Sequence, residues 1–340
     1  MQDVKDITII GAGPTGLFGA FYAGMRGASC QLIDNLDQLG GQLTALYPEK
    51  YIFDVAGFPK ILSKDLVKEM AQQALQWKAP VHLGQKVVGL RREEQDGKPR
   101  FVLVTEQDEF PSRTVIIAAG IGAFTPRKLP LKDVDQWYGK GLHDRVLNPQ
   151  EFAGQRVLIV GGGDSAFDWA VNLHGIARSI LMIHRRDGFR AHHATVAQVQ
   201  AFCAAGEMEL RTFWELKAIA GGARIERVTI VNNKTKEEET IAMDRVIPQL
   251  GFLSSLGAIA EWGLELEKGD IKVASTMETN IPGIYAAGDV AVFPGKLKLI
   301  ATGVSDACIA VNHAVHFIHP EAKVAPGHSS NMAIFGQTED

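Results

Sequence analysis

Short apolar runs alternate along the chain with glycine-rich turns and helix-like segments. The run Ile7–Ile10 predicts a buried parallel strand, and a glycine turn and an apolar helix ending near Met25 follow it. Gln31–Asp34 predicts the next strand. The start of the chain therefore predicts one βαβ unit.

A second βαβ unit is predicted far from the first. Val157–Val160 predicts its opening strand, Ser165–Leu173 its helix and Ser179–Ile183 its closing strand. A glycine-rich turn again separates the first strand from the helix. Two such units, about 150 residues apart, indicate a duplicated nucleotide-binding module rather than a short solenoid repeat.

The remaining pattern predicts four features: a helix through Trp77 with Ser63 as its N-cap, a β-meander over Val81–Ile117, a hairpin of Ile225–Val231 with Ile241–Ile247, and a helix over Ile300–Phe317.

Composition narrows the function classes. A chain of 340 residues with 46% hydrophobic residues suits two domains, and its net charge of −4 argues against a nucleic-acid partner. No apolar run approaches the roughly 18 residues of a membrane span. The three cysteines, Cys30, Cys203 and Cys308, form neither a disulfide framework nor a zinc set. With a strand so close to the start, a cytoplasmic protein without a signal peptide is expected.

The first glycine turn, Gly11-Ala12-Gly13-Pro14-Thr15-Gly16, follows the G-x-G-x-x-G pattern. Gly11 allows a tight turn, Gly13 lets the backbone approach a pyrophosphate, and Gly16 lets the helix pack against the strand. Asp34, at the end of the next strand, can accept hydrogen bonds from a ribose. The strand, loop, helix and acid together favour a dinucleotide site over an ordinary βαβ turn.

The second turn is Gly161-Gly162-Gly163-Asp164-Ser165-Ala166, also between a strand and a helix. Its second strand is followed by Arg185, Arg186 and Arg190 instead of an acid. Guanidinium groups pair with a 2′-phosphate, which an acid would repel, so NADP(H) is expected here rather than NAD(H). The alternative is a solvated run of surface arginines.

A late segment, Thr279–Asp289, predicts a strand that places Asp289 beside a glycine. Together with Ala118-Ala119-Gly120 and the two glycine loops, it resembles the thioredoxin-reductase-like flavoprotein disulfide reductases. The resemblance implies an α/β fold with two Rossmann-like, three-layer ββα dinucleotide-binding domains. It implies an FAD domain over residues 1–120 and 252–340, an inserted NADPH domain over 121–251, and Asp289 against the flavin ribityl chain.

One departure from that family concerns thiols. The stretch Asp144–Phe152, where a Cys-x-x-Cys is expected, contains no cysteine. Without a dithiol, electrons leave the flavin directly. The segments Gly40–Lys50, Asp54–Pro59 and His328-Ser329-Ser330 resemble the ferredoxin/flavodoxin–NADP reductases of thioredoxin-reductase-like type.

That second resemblance implies roles for single residues. Tyr47 stacks on one face of the isoalloxazine, His328 covers the other face, and Ser330 lies near the reactive nitrogen N5. Gln42, Val87 and Phe124 line the FAD site, together with the loop residues Gly11, Gly13, Thr15 and Gly16; Gly161, Gly163 and Ser165 hold NADPH. A homodimer is implied, in which each C-terminal tail covers the partner's flavin.

The expected activity is electron transfer between NADPH and ferredoxin or flavodoxin, with hydride passing between NADPH C4 and flavin N5. An acidic ferredoxin would dock on a positive patch, for which the candidates are Lys60, Lys64, Lys68, Arg127 and Lys128. Three alternatives stay open: a thioredoxin reductase with another dithiol, an NAD(P)H oxidase or diaphorase, and a non-catalytic flavin-binding protein.

The histidines are expected to be structural. His313, His316 and His319 share a predicted helix, but no carboxylate or cysteine support indicates a metal site. His192 and His193 follow the arginine segment, where packing is favoured over contact with the nucleotide.

Overall fold

The structure is a computed structural model that describes residues 3–48, 50–95, 97–144, 146 and 148–331. The chain forms two compact units. Unit 1 comprises residues 1–123 and 254–340, and unit 2 comprises residues 124–253. Unit 2 is thus inserted in the sequence of unit 1. The predicted assignment of one cofactor to each domain stays a prediction at this point.

The elements follow in chain order. Unit 1 begins with β1 (Lys5–Ile10), α1 (Pro14–Met25), β2 (Cys30–Ile33), α2 (Gln42–Leu46), β3 (Tyr51–Ile52), β4 (Ile61–Leu62), α3 (Ser63–Ala74), β5 (Val81–His82), β6 (Val87–Gln95), β7 (Lys98–Thr105) and β8 (Glu109–Ile117). The inserted part runs through β9 (Ala123–Pro126), β10 (Arg156–Gly161), α4 (Asp164–Leu173), β11 (Ser179–His184), α5 (His193–Ala204), β12 (Glu209–Thr212), β13 (Trp214–Gly221), β14 (Ile225–Asn232), β15 (Glu238–Ala242), β16 (Arg245–Gln249) and β17 (Phe252–Ser255). The chain returns to unit 1 with β18 (Leu266–Glu267), β19 (Asp270–Lys272), β20 (Ile284–Ala286), β21 (Ala291–Val292) and α6 (Ile300–Ile318).

Unit 1 is built on a sheet with strand order β5-β2-β1-β8-β7-β6, and β20 also pairs with β8. β1 runs parallel to β2 and β8, whereas β6, β7 and β8 form an antiparallel meander. Ile7, Ile9 and Leu32 are fully buried, as both faces of a parallel sheet require. The first βαβ unit and the meander predicted from the sequence are confirmed.

Unit 2 contains a parallel sheet of order β12-β11-β10-β16 and an antiparallel sheet of order β13-β14-β15. The parallel sheet places the second glycine turn at the carboxyl end of β10, which is where nucleotides bind in open α/β sheets. The second βαβ unit is therefore confirmed as well.

Two local predictions need correction. The predicted hairpin forms, with Val228 opposite Ile241, but its second strand is β15, whereas Arg245–Gln249 runs parallel to β10 in the other sheet. The reason is burial: Val246 and Ile247 are fully buried, so this run needs cover on both faces. Ser63 is the first residue of α3 rather than its N-cap, and its hydroxyl donates to the carbonyl of Lys50 over 2.9 Å.

An ion pair fastens the start of the parallel sheet in unit 2. Arg156 Nη2 lies 2.7 Å from Asp244 Oδ1, and the backbone N–H of Arg156 donates to Asp244 Oδ2 over 2.8 Å. The hydrogen bonds from Arg156 lower the pKa of Asp244 to about 2. Because the folded pKa lies below the unfolded value, the stability from this pair is present above the unfolded pKa and is lost as pH falls through the folded one.

We expect Asp244→Asn to destabilise the protein by about 1 kcal/mol at pH 7, because the pair is partly exposed. The deficit relative to the unsubstituted protein should shrink between about pH 4 and pH 2, where the native carboxylate takes up its proton. Thermal unfolding across this pH range measures both effects. Asp135→Asn, which alters an exposed pair with Lys128, is the control and should have no measurable effect. An equal deficit for Asp244→Asn at every pH would refute this role for the ion pair.

Candidate functional site

The first glycine loop is closed by contacts that tolerate no side chain at two positions. Gly11 has a φ of +109°, and a Cβ there would lie 2.4 Å from the carbonyl oxygen of Ala118. A Cβ on Gly16 would lie 1.8 Å from the carbonyl oxygen of Gly11. These two glycines are therefore required by the turn and by the packing of α1 on β1, whatever the loop binds.

Gly13 differs from Gly11 and Gly16, because the fold does not exclude a side chain at this position. Its φ of −75° suits any residue, and the nearest atom to an added Cβ is Gly41 Cα at 3.8 Å. The protein alone does not require glycine here. The loop also precedes α1, whose first-turn N–H groups have no partner within the helix and favour a negative charge. This cradle fits a pyrophosphate, and a Cβ would fill the space that the phosphate needs.

The carboxylate of Asp34 holds the same loop through hydrogen bonds. Its side chain is 8% exposed, and its two carboxylate oxygens accept hydrogen bonds from the backbone N–H groups of Ala12 and Leu36. Burial raises the pKa of Asp34, and the two hydrogen bonds oppose that rise. Each oxygen keeps a further lone pair. Asp34 therefore holds the loop, and its predicted contact with a ribose stays a prediction.

The segment after β2 lies against the glycine loop. The N–H of Gly40 donates to the carbonyl of Ala12 over 2.9 Å, and α2 then places Gln42 beside Gly120. The hydroxyl of Tyr47, which is half-buried, lies 3.3 Å from Gln42 Oε1. The structure thus brings the predicted residues Gln42 and Tyr47 together at this loop.

The turn formed by Gly288 and Asp289 lies against the N-terminal end of α1. Gly288 has a φ of +79°, and a Cβ there would lie 2.7 Å from the hydroxyl oxygen of Thr15. The N–H of Gly288 donates to Asp306 Oδ2 over 3.0 Å, and that oxygen also pairs with Lys296. Burial raises the pKa of Asp289, which stands next in the chain. The turn that carries Asp289 therefore lies against Thr15 in unit 1, and the predicted contact of Asp289 with the flavin ribityl chain stays a prediction.

The pair of Lys296 and Asp306 was missed by sequence reasoning. Their side chains are 4% and 6% exposed, so each buried charge needs the other as a partner. The available signal was an acid within the apolar face of the predicted last helix. The pair fixes the N–H of Gly288 and so the turn that carries Asp289.

Other residues predicted for the flavin site have different positions. Val87 begins β6 in the main core of unit 1, two residues after Gln85, whose N–H donates to the carbonyl of Asp34 over 2.8 Å. The side chain of Phe124 lies outside the described residues. His328 and Ser330 are exposed near the end of the described chain.

The second glycine loop resembles the first: the fold excludes a side chain at some of its glycines but not at all of them. A Cβ on Gly161 would lie 2.4 Å from the carbonyl oxygen of Gln249, and one on Gly162 would meet the ring of His184. Gly163 has a φ of −102° and no atom within 4 Å of an added Cβ. Ser165 lies in the first turn of α4. This loop again offers a helix end and one glycine that the protein alone does not need.

The arginine segment lies beside this loop. Arg185, Arg186 and Arg190 are all exposed, and the N–H of Arg190 donates to the carbonyl of Gly162 over 2.9 Å. Burial lowers the pKa of His184, and the charges of Arg185 and Arg186 lower it further. The segment that carries these three arginines thus lies against the second glycine turn, and guanidinium groups are the kind of group that pairs with the 2′-phosphate of NADP(H).

The thiols of the chain are poor nucleophiles. Burial raises the pKa of Cys30 to about 12 and that of Cys308 to about 11, and it also raises the pKa of Cys203. All three cysteines are free. Thiolate is the reactive form, so none is suited to relaying electrons at neutral pH.

The histidines make local contacts. His192 caps α5, since its Nδ1 accepts from the N–H of Ala194 over 3.3 Å, and His316 Nδ1 lies 2.8 Å from the carbonyl of Ala322. Among the described residues, no group of three or more His, Cys, Asp or Glu side chains is arranged to hold a metal ion. In that same part of the chain, no helix has the length and apolar character that a membrane crossing needs.

The five docking candidates are exposed but divided between the units. Lys60, Lys64 and Lys68 belong to unit 1, and Arg127 and Lys128 belong to unit 2. Lys60 Nζ lies 3.7 Å from the centre of the Tyr51 ring, and Lys128 lies 2.7 Å from Asp135. The acid partly neutralises Lys128, which makes that residue a weaker candidate.

Comparison with known proteins adds a third line of observation. The family described as "Pyridine nucleotide-disulphide oxidoreductase" matches residues 5–314. A "Ferredoxin--NADP reductase" of Thermus thermophilus is 47% identical over 334 residues, covering 98% of this chain and 99% of the relative. "Ferredoxin--NADP reductase 2" of Bacillus subtilis is 48% identical and covers 97% of each chain.

Solved structures give the fold. The thioredoxin reductase of Lactococcus lactis has a TM-score of 0.75 at 28% identity, covering 92% of this chain and 99% of that one. The thioredoxin reductase of T. acidophilum has the same TM-score at 26% identity, covering 94% and 100%. The predicted fold class, with its thioredoxin-reductase-like architecture, is confirmed.

Proposed function

The chain belongs to the pyridine nucleotide-disulphide oxidoreductase family, and from that premise we propose that it is an FAD-dependent ferredoxin–NADP reductase. The cofactors are FAD and NADP(H). When bound, FAD would supply the chemistry that couples hydride transfer with NADPH to single-electron transfer with an iron–sulfur or flavin protein. The observation that carries the proposal is the pairing of two phosphate-binding glycine loops with the lack of any reactive thiol pair.

Each of the two glycine loops binds one cofactor in this proposal. We assign FAD to Gly11, Gly13, Thr15, Gly16 and Asp34, supported by the open space at Gly13 and the contacts that hold the loop. Gln42, Val87, Phe124 and Asp289 complete this site in the proposal, and Tyr47 stacks on the isoalloxazine. NADPH is assigned to Gly161, Gly163 and Ser165, with Arg185, Arg186 and Arg190 at its 2′-phosphate.

The acceptor follows from the thiols. A disulfide reductase needs a dithiol near the flavin, and the three cysteines here are unpaired, with raised pKa values. An acceptor that takes electrons directly, such as ferredoxin or flavodoxin, suits this arrangement. Lys60, Lys64, Lys68 and Arg127 remain proposed docking residues for an acidic carrier. Three free cysteines also favour a reducing compartment, and we place the protein in the cytoplasm.

The proposed activity is tested with purified holoprotein and NADPH. Ferredoxin-coupled reduction of cytochrome c should be much faster than consumption of oxygen, and thioredoxin should not be reduced. Equal turnover on oxygen with and without ferredoxin would indicate an oxidase instead. Reduction of thioredoxin at a comparable rate would indicate that the protein is a disulfide reductase.

We also propose a homodimer in which His328 and Ser330 of each chain cover the flavin of the other. Arg26, at the end of α1, donates to the carbonyls of Lys323 and Val324 over 2.8 and 3.2 Å. The glycine loop lies at the opposite end of this 12-residue helix, about 18 Å away. Four extended residues from Val324 to His328 span at most about 14 Å. A tail anchored at the end of α1 away from its own glycine loop supports the proposal that a second copy receives it.

Sedimentation should therefore give about twice the chain mass of 36.9 kDa. A chain shortened to end at Gly327 should still dimerise, but its flavin fluorescence should rise because the ring loses its cover. A holoprotein that sediments as a single chain, or fluorescence unchanged by the truncation, would contradict the shared site.

A further inference from the structure

We propose that Asn233 is a positioning residue that sets the preference for a 2′-phosphorylated nucleotide. It stands in the turn between β14 and β15. That turn contains none of the glycine-loop or arginine residues assigned above to the NADPH site. The inference rests on the proposed function, since it concerns the NADPH site, and extends that site to an element distant in sequence.

The side chain of Asn233 joins this turn to the arginine segment. Its Nδ2 donates to the carbonyl of Arg185 over 2.8 Å and to Glu215 Oε1 over 2.9 Å. Both partners are acceptors, so the amide presents its NH2 group to them and uses both hydrogens. The N–H of Asn233 also donates to the carbonyl of Phe213 over 2.7 Å. Three hydrogen bonds from Asn233 thus hold the turn in place.

One hydrogen bond to the Arg185 carbonyl orients two arginines. The peptide unit is planar, so fixing the C=O of Arg185 also fixes the N–H and Cα of Arg186. Both guanidinium groups are exposed, and their backbone origins decide where they can reach. Asn233 therefore limits the freedom of Arg185 and Arg186 before any nucleotide binds, which lowers the entropy lost on pairing with a phosphate.

The other end of the segment is held independently. The N–H of Arg190 donates to Gly162, and the N–H of His192 donates to Asp164 Oδ1 over 2.9 Å. These bonds tie the segment to the glycine loop that receives the pyrophosphate. Asn233 supplies the tether at the end where β11 stops. Losing it should loosen Arg185 and Arg186 while the pyrophosphate contacts stay in place.

Charge makes asparagine the suitable residue. Asn233 satisfies Glu215 with a neutral donor and adds no negative charge beside the expected phosphate. An aspartate of the same shape would set a carboxylate against both Glu215 and the Arg185 carbonyl, which are acceptors. Asn233→Asp should therefore harm the site more than Asn233→Ala, although it keeps the side-chain volume.

The test measures binding of 2′,5′-ADP and of 5′-AMP to the flavin-containing protein by calorimetry. The two ligands differ only by the 2′-phosphate. We expect Asn233→Ala to weaken 2′,5′-ADP about tenfold, as the loss of one hydrogen bond allows, and to leave 5′-AMP unchanged. Asn233→Asp should weaken 2′,5′-ADP further. In turnover, KM for NADPH should rise while kcat and the flavin spectrum stay the same.

Thr240→Ala is the matched control, since Thr240 contacts Thr229 elsewhere in the same hairpin, with 3.1 Å between their hydroxyl oxygens. It should bind both ligands as the unsubstituted protein does. Equal weakening of both ligands by Asn233→Ala would show a merely structural role and overturn the inference, as would no weakening at all. If the unsubstituted protein does not prefer 2′,5′-ADP over 5′-AMP, the NADPH assignment itself fails.

Discussion

Replacing Gly13 by alanine is expected to give a folded but colourless protein that has lost NADPH-dependent turnover. The φ of −75° suits alanine, and no atom lies closer than 3.8 Å to the new Cβ, so the fold should keep its stability. The Cβ instead occupies the space assigned to the FAD pyrophosphate. An overpacking cost of about 2–3 kcal/mol would weaken FAD roughly 30- to 150-fold.

The measurement is the absorbance ratio of flavin to protein after purification, together with the melting temperature of the FAD-free form. Gly16→Ala is the contrasting variant, because its Cβ would lie 1.8 Å from a backbone oxygen and must disturb the fold itself. A Gly13→Ala protein with full flavin content would show that FAD does not pass over this loop. A strongly destabilised FAD-free form would show that Gly13 serves the fold.

Replacing Arg185 and Arg186 together by alanine is expected to abolish the preference for NADPH over NADH. Each charge-assisted hydrogen bond to a phosphate contributes about 1.5–3 kcal/mol, so kcat/KM for NADPH should fall about 100-fold or more. The value for NADH, which has no 2′-phosphate, should change little. The flavin spectrum should be unaffected, because both arginines belong to unit 2 and the FAD loop to unit 1.

Steady-state rates with both nucleotides at several salt concentrations measure this effect, and the preference should also decline with salt in the unsubstituted protein. Arg178→Ala provides the control, since it removes one exposed arginine next to the opposite end of β11 and should leave the nucleotide preference unchanged. An unchanged nucleotide preference in the double variant would leave the arginines as surface residues.

The glycine loops were predictable from the sequence because their physics is local. A short apolar run, glycines at fixed spacing and an apolar helix each restrict the same few residues, and β1, α1 and β2 appear within two residues of their predicted bounds. The distinction between Gly13 and its neighbours needed the structure. Only the positions of Ala118, Gly11 and Gly41 reveal which glycine the fold itself requires.

Contacts between distant segments were not predictable. Asn233 and Arg185 are separated by 48 residues, and no periodicity connects a hairpin turn to the end of a parallel strand. The apolar run at Val246 fits either a hairpin or a buried parallel strand, and only its burial in the sheet decides. Asp34 suited a ribose contact by its position, but its two backbone partners depend on the path of the loop.

In the proposed mechanism the flavin is the sole redox centre, and no dithiol relays its electrons. Anaerobic titration of the purified holoprotein with dithionite, followed by flavin absorbance and a thiol count, distinguishes a lone flavin from a flavin coupled to a dithiol. We predict complete bleaching after a single two-electron equivalent per FAD, with the same number of free thiols before and after. A requirement for two equivalents, with new thiols appearing, would contradict it.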